Sequence, residues 1–305
     1  MGFFKRIKRS SVLAAVTLAA LTAAVMSLQE RGERATDHTA VTGPSGRGLA
    51  DQARPPGTPV VPPSGAGNRP RSIAVIIDDI GYDLQVVRQL ARIEAPLAFA
   101  ILPHAPHAAE AARVLHGAGK EILLHMPMEP RSYPSENPGG GALFTHMGEA
   151  EIRMKVGEAV AAVPNIVAVN NHMGSRFMED ETRLRVVMKE LAKRGLFFVD
   201  SRTTPHSRAR AAAAGEGVRL LERDVFLDHS PGFAAALANL TDPPRPAPGT
   251  GKPLVMIGHP HPDTVRALRE AALLWQRQGA GVIPLSACFG APGGKNPKGA
   301  LAKER

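Results

Sequence analysis

The stretch IAVIIDDIGYD, residues 73–83, decides the reading of the fold. Its opening run, Ile73–Ile77, is rich in β-branched residues, the pattern of a strand buried on both faces of a parallel sheet. The run ends on two adjacent carboxylates, Asp78 and Asp79, whose charges repel. A polar stop alone would cost less as Gly, Asn or Ser. Two carboxylates at one strand end point to a cation, or a proton to be moved, between them. Capping of the next helix can be left to Asp83.

Outward from this stretch the same beat repeats. Apolar runs stand at 97–102 (LAFAIL), 121–124 (EILL), 166–169 (IVAV), 196–199 (LFFV), 225–227 (VFL), 254–257 (LVMI) and 281–285 (GVIPL). Between most of them lie stretches such as LQVVRQLARI, EAEIRMKVGEAVAAV and TVRALREAALLWQRQG, with apolar residues at i, i+3 and i+4, and several close on Gly. Seven or eight strand–helix units predict a parallel sheet closed as a barrel, and an open doubly wound sheet satisfies the same alternation.

The residues at the strand ends carry the chemistry. They are Asp78 and Asp79, Pro103 and His104, His125, Asn170 with Asn171 and His172, Asp200, Asp228 with His229, and His259. In a parallel barrel these positions converge on the C-terminal rim, where active sites form. Two or three His with an Asp, no Cys and an open coordination position describe a hydrolytic, zinc-type site. One aspartate would hold the metal, its neighbour would handle the proton, and a separate His would protonate a leaving group. The stretch 126–147, rich in Pro and Gly, is long for a connection and is a candidate lid.

Charge is distributed unevenly. The formal net charge is +9, yet residues 72–290 hold 23 basic and 23 acidic side chains. The basic excess lies in the two ends, and with 4% aromatics there is little to stack on bases, so nucleic acid is excluded as a partner. Residues 1–28 join four basic residues to an uncharged apolar run at 11–28 and are expected to be a signal anchor or signal peptide, placing the remainder outside the cytoplasm, in the periplasm or cell envelope. Residues 29–71 are expected to be a disordered Pro/Gly-rich linker, 72–290 the folded domain and 291–305 a disordered basic tail. A single cysteine, Cys288, excludes an intrachain disulfide.

In order along the chain, IAVIIDDIGYD, LAFAILPHAPHA, EILLHMPMEP, NNHMGSRF, FFVDSRT, VFLDH and IGHPHPDT resemble the divergent polysaccharide deacetylase family. The resemblance covers about 72–286. It implies a (β/α)7-type distorted barrel, the NodB-like deacetylase fold, and a metal-dependent hydrolase, one zinc-type ion per chain, that removes N-acetyl groups from an envelope polysaccharide such as peptidoglycan. Carried onto this sequence, Asp78 is the base, Asp79 a metal ligand and His259 the general acid, while Asp200 resembles the carboxylate that orients the catalytic partners. His125 matches the first of two ligand histidines, but the position four residues later is Glu129. Either Glu129 ligates or another histidine does, and His172 is the candidate. Asn170, Asn171, His104, Arg202 and Glu129 are the substrate-side candidates. The altered second motif also admits an alternative: a glycan-binding or scaffold protein with the fold and no catalysis.

Overall fold

The computed structural model describes residues 72–243, 252–279 and 281–289. The expected membrane segment, linker and basic tail lie outside the described residues. Among those described, no helix is long and apolar enough to cross a membrane.

Among the described residues eight strands form one sheet: β1 (Ile73–Ile80), β2 (Ala98–Ile101), β3 (Glu121–Met128), β4 (Ile166–Met173), β5 (Phe197–Asp200), β6 (Leu220–Glu222), β7 (Val225–Phe226) and β8 (Leu254–Gly258). Their order is β6-β5-β4-β3-β2-β1-β8-β7, and every pairing is parallel. The helices are α1 (Leu84–Ala91), α2 (Ala108–Gly117), α3 (Glu149–Ala162), α4 (Glu181–Ala192), α5 (Ala209–Glu216), α6 (Phe233–Thr241) and α7 (Pro262–Gln278).

The strand order itself dictates curvature. β6 and β7 are the two edges of the sheet, yet only Arg223 and Asp224 separate them in the chain. Two residues reach across about 10 Å, whereas the edges of a flat eight-stranded sheet would stand about 34 Å apart. The sheet must therefore curl until its edges nearly meet. This gives the expected distorted barrel and removes the open doubly wound alternative. Among the described residues no ladder joins β6 to β7, so the curl has a seam. Arg223 spans it, donating from Nε to Ser201 O at 2.8 Å and from Nη2 to Arg202 O at 3.1 Å. Its guanidinium lies 4.8 Å over the Phe226 ring.

Strand alternation sorts the core into two layers. Val75, Ile77, Phe99, Ile101, Leu124, Phe198 and Met256 face the helices in the larger cluster. Ala74, Ile76, Ala98, Ala100, Leu123, Ala168, Val199, Val255 and Ile257 line the inside of the curl. Alanines there suit the narrow interior, while each large outer side chain contributes about 1.5–3 kcal/mol by burial.

Three local expectations are corrected. The run at 281–285 is not a ladder strand: Val282 makes one bridge to Ile73, and a 3-10 helix, Leu285–Phe289, follows. Pro284 has no N–H to give a ladder. This segment meets the first residues of β1 and β3 (Ser286 N–H reaches Glu121 at 3.1 Å), so it plugs the bottom of the curl. The short strand Leu220–Glu222 was hidden by its charged flanks. Finally, β1, β3 and β4 do not stop before their polar residues but run through them, because the β3–β4 ladder continues as His125↔Asn170 and Pro127↔His172.

Candidate active site

The rim is built by extending the inner face of the curl upward. Asp78 continues Ala74 and Ile76, His125 follows Leu123, Asn170 and His172 follow Ala168, and His259 follows Val255 and Ile257. A period of two thus aims five polar side chains at the space above the interior plug.

Asp79 should point the other way, and a bulge prevents it. Along β1 and β2 the pairing steps from Ile77↔Phe99 to Ile80↔Ile101, one residue more on β1 than on β2. Asp79 takes φ 56, the left-handed region that Asp tolerates better than most residues. Both carboxylates then face the same imidazole: His125 Nε2 lies 3.2 Å from Asp79 Oδ1 and 3.6 Å from Asp78 Oδ2. As anticipated, α1 is capped by Asp83, whose Oδ1 accepts from Gln85 N–H at 2.7 Å, leaving the pair free.

His172 completes the group. Its Nδ1 is 3.0 Å from Asp79 Oδ1 and 3.1 Å from His125 Nε2. Three donors are therefore mutually 3.0–3.2 Å apart. Ligands on one face of a tetrahedral zinc at ordinary bond lengths stand about 3.3 Å apart. Asp79 Oδ1 is buried and receives no well-directed hydrogen bond, although two ring nitrogens adjoin it. The residues fit a divalent ion. His125 Nδ1 bonds Asn170 Oδ1 at 2.9 Å, which turns Nε2 toward the other two donors.

The electrostatics follow from burial and charge. Burial raises the Asp78 carboxyl, opposed by His125 and by the Asn170 amide, which donates to Oδ1 at 2.8 Å; burial wins. For Asp79 burial also acts upward, but His125 and His172 overcome it and hold the carboxyl far below the usual range. Burial disfavours charge on His125, yet Asp78 and Asp79 outweigh it and raise its pKa. Two adjacent carboxylates are thereby driven apart, one kept ionised and one made more basic.

His259 stands opposite, with Nε2 3.8 Å from Asp79 Oδ2. Its Nδ1 lies 3.3 Å from Asp228 Oδ1, and its backbone N–H donates to Asp228 Oδ2 at 2.6 Å. Burial works against charge on His259, and Asp228 with Asp79 more than compensates, so its pKa is raised. Asp228 is the residue whose role the sequence did not reveal. It stands in VFLDH just past a strand end, but only the pairing of β7 with β8 brings it to His259.

The remaining candidates lie as follows. Asp200, expected to orient the catalytic partners, is buried and accepts from Arg202 N–H at 2.7 Å; Asp228, not Asp200, holds His259. Arg202 turns its guanidinium to Glu222 at 3.4 Å. Asn171 faces away from the interior, donating to Met173 O at 2.8 Å and accepting from Ser201 N–H at 2.9 Å, which ties β4 to the loop after β5. Glu129 is buried but directed away from the three donors. Its carboxylate accepts from Thr145 N–H and hydroxyl, both at 2.7 Å, and pairs with Arg176 at 3.2 Å. His104 is exposed and packs against Gly140 and Gly141. The candidate lid is thus fastened at its base by Glu129 and by the Met128↔Leu143 bridge.

The profile of the divergent polysaccharide deacetylase family matches residues 75–289, spanning every strand but the first two residues of β1. The chain belongs to that family. Similar proteins are YibQ of Escherichia coli K12, an uncharacterized protein 37% identical over 199 residues, and an uncharacterized protein of Haemophilus influenzae, 35% identical over 197. The first match covers 65% of this chain and 61% of the relative, so the chain spans about three fifths of that protein's length; the second covers 65% and 69%. Among solved structures, an uncharacterized protein from Agrobacterium tumefaciens C58 superposes with a TM-score of 0.67 at 24% identity, over 73% of this chain and 90% of that one. That likeness is one of fold.

Proposed function

We propose that the rim is the active site of a metal-dependent hydrolase that removes N-acetyl groups from a cell-envelope polysaccharide such as peptidoglycan. The observation that carries this reading is the triangle of Asp79 Oδ1, His125 Nε2 and His172 Nδ1 with edges of 3.0–3.2 Å. These residues would hold the ion, with zinc favoured by the two-imidazole, one-carboxylate donor set. When bound, the cation would acidify water and polarise the amide carbonyl.

The chain's own residues supply the proton traffic. Asp78, made more basic by burial, accepts a proton from the water that attacks the acetamide carbon. The C–N bond breaks, His259 gives a proton to the departing amine, and acetate leaves. Asp228 keeps His259 in the orientation and charge state for that step. Asn170 bridges both halves, bonding Asp78 and His125 at once. The basic-plus-apolar segment at 1–28 supports an extracytoplasmic, membrane-tethered or secreted setting for this activity.

Elemental analysis joined to an acetate-release assay on peptidoglycan and chito-oligosaccharides tests the proposal. About one zinc per chain is expected, lost in Asp79→Ala. In Asp78→Asn zinc is retained while acetate release falls by about 10²–10⁴-fold. Full metal content in Asp79→Ala would refute the ligand set. Saturable glycan binding with metal bound and no acetate released from either substrate would favour the non-catalytic alternative.

A further inference from the structure

The segment IGHPHPDT leaves one histidine unexplained. His261 stands at the N-cap of α7 with φ −64 and ψ 147, yet its side chain makes no capping hydrogen bond. Helix capping favours Ser, Thr, Asp or Asn, so a histidine here answers some other need. Pro260 and Pro262 fix their own φ and hold the residues before them extended. In extended backbone, residues two apart project to the same side. The two rings accordingly stand together, with centroids 5.8 Å apart and planes inclined by 41°.

Asp228 supplies a third donor. Ligand atoms of Asp228, His259 and His261 all lie within 4.8 Å of one another, and His259 Nδ1 and Asp228 Oδ1 are 3.3 Å apart. That separation again matches the edge of a tetrahedral zinc site, about 3.3 Å. Asp228 is held from the other side by the His259 backbone N–H and lies 3.5 Å from the Thr264 hydroxyl, while His261 is exposed beside them. The prolines leave little backbone freedom to lose on binding.

We propose that Asp228, His259 and His261 form a second, weaker divalent-cation site that fills when zinc is in excess and disables His259 as a proton donor. A cation on His259 Nδ1 takes the place of the proton directed at Asp228. The ring can then no longer be an imidazolium, and its remaining N–H is too weak an acid to give up. The site rests on the geometry of these three residues; its effect on turnover rests on the acid role of His259 proposed above.

Equilibrium dialysis of the full-length protein against graded zinc, with elemental analysis, tests this. Wild type is expected to take one ion at limiting zinc and a second in large excess, the second shifting the imidazole resonances of His259. Substitution His261→Ala keeps the first ion and weakens the second by more than the roughly 10–100-fold expected of losing an outer partner. Asp79→Ala should lose the tight ion and retain the weak one. Saturation of wild type at a single ion in large zinc excess would overturn the second site, as would an unchanged second ion in His261→Ala. Loss of the weak ion in His261→Ala together with a tight ion surviving in Asp79→Ala would support the second site while refuting the first.

Discussion

Asp79 is the residue on which the site turns. Its neighbour Asp78 reaches the interior by ordinary alternation, whereas Asp79 does so only through a bulge and a left-handed backbone at φ 56. A sequence shows that two carboxylates are adjacent; it does not show that a bulge will aim both at one imidazole. The Asp228–His259 pair has the same character. Burial of His259 opposes its charge and Asp228 overcomes that, so His259 holds its proton to higher pH than an ordinary histidine. Activity that needs this proton should survive to correspondingly higher pH and fall as pH rises through the raised pKa. In Asp228→Asn the alkaline limb of a pH–rate profile should move to lower pH, whereas a merely structural defect would lower the rate equally at all pH. His259→Ala should cost about 10²–10⁴-fold in rate with zinc at the first site retained.

At the scale of elements, α4 illustrates how a helix is tied to its neighbour. Glu190 is buried on it, pairing with Lys193 at 2.6 Å and Arg194 at 2.7 Å, and lying 3.6 Å from Arg153 of α3. The contacts with Lys193 and Arg194 follow from i, i+3 and i, i+4 spacing, so they are legible in the chain; the reach to α3 is not. Hydrogen bonds from Lys193 and Arg194 hold the Glu190 carboxyl below its ordinary value, against the opposing effect of burial. A depressed carboxyl stabilises the fold above its unfolded pKa, about 4.3, and that contribution is lost as pH falls through the folded value. Glu190→Gln should therefore cost about 1–3 kcal/mol near neutrality, or several degrees in Tm. The gap from wild type should close on acidification. A constant gap down to acid pH would show that the carboxylate charge contributes nothing.

At the largest scale, the described residues form a curled sheet with a seam, and Arg223 is its fastening. Its fork holds two carbonyls after β5 and lies over Phe226, whose ring is 5.3 Å from that of His259. Arg223→Ala should lower stability by about 1–3 kcal/mol, read as a fall in Tm, and should loosen His259. Arg223→Lys should recover only part of this, because an ammonium cannot reproduce a planar two-pronged contact. Unchanged melting in Arg223→Ala would mean that the seam is held elsewhere.

What the chain expresses in one dimension is whatever depends on neighbours a few residues away. The beat of apolar runs and amphipathic helices, the polar type at each strand end, the Asp83 cap and the HPHP segment are all of that kind, and they sufficed for the barrel and for Asp78, Asp79, His125, His172 and His259 as rim residues. The rest is a matter of register between distant strands. His172 becomes the partner of His125, and Glu129 turns to Thr145 and Arg176, because β3 and β4 pair as they do. Asp228 reaches His259 because β7 pairs with β8 across the far edge of the sheet. Residues 281–289 become a plug because the curl leaves an open bottom to fill. Periodicity is local and can be read along a strand, but a ligand triangle with 3 Å edges exists only once four strands lie in register.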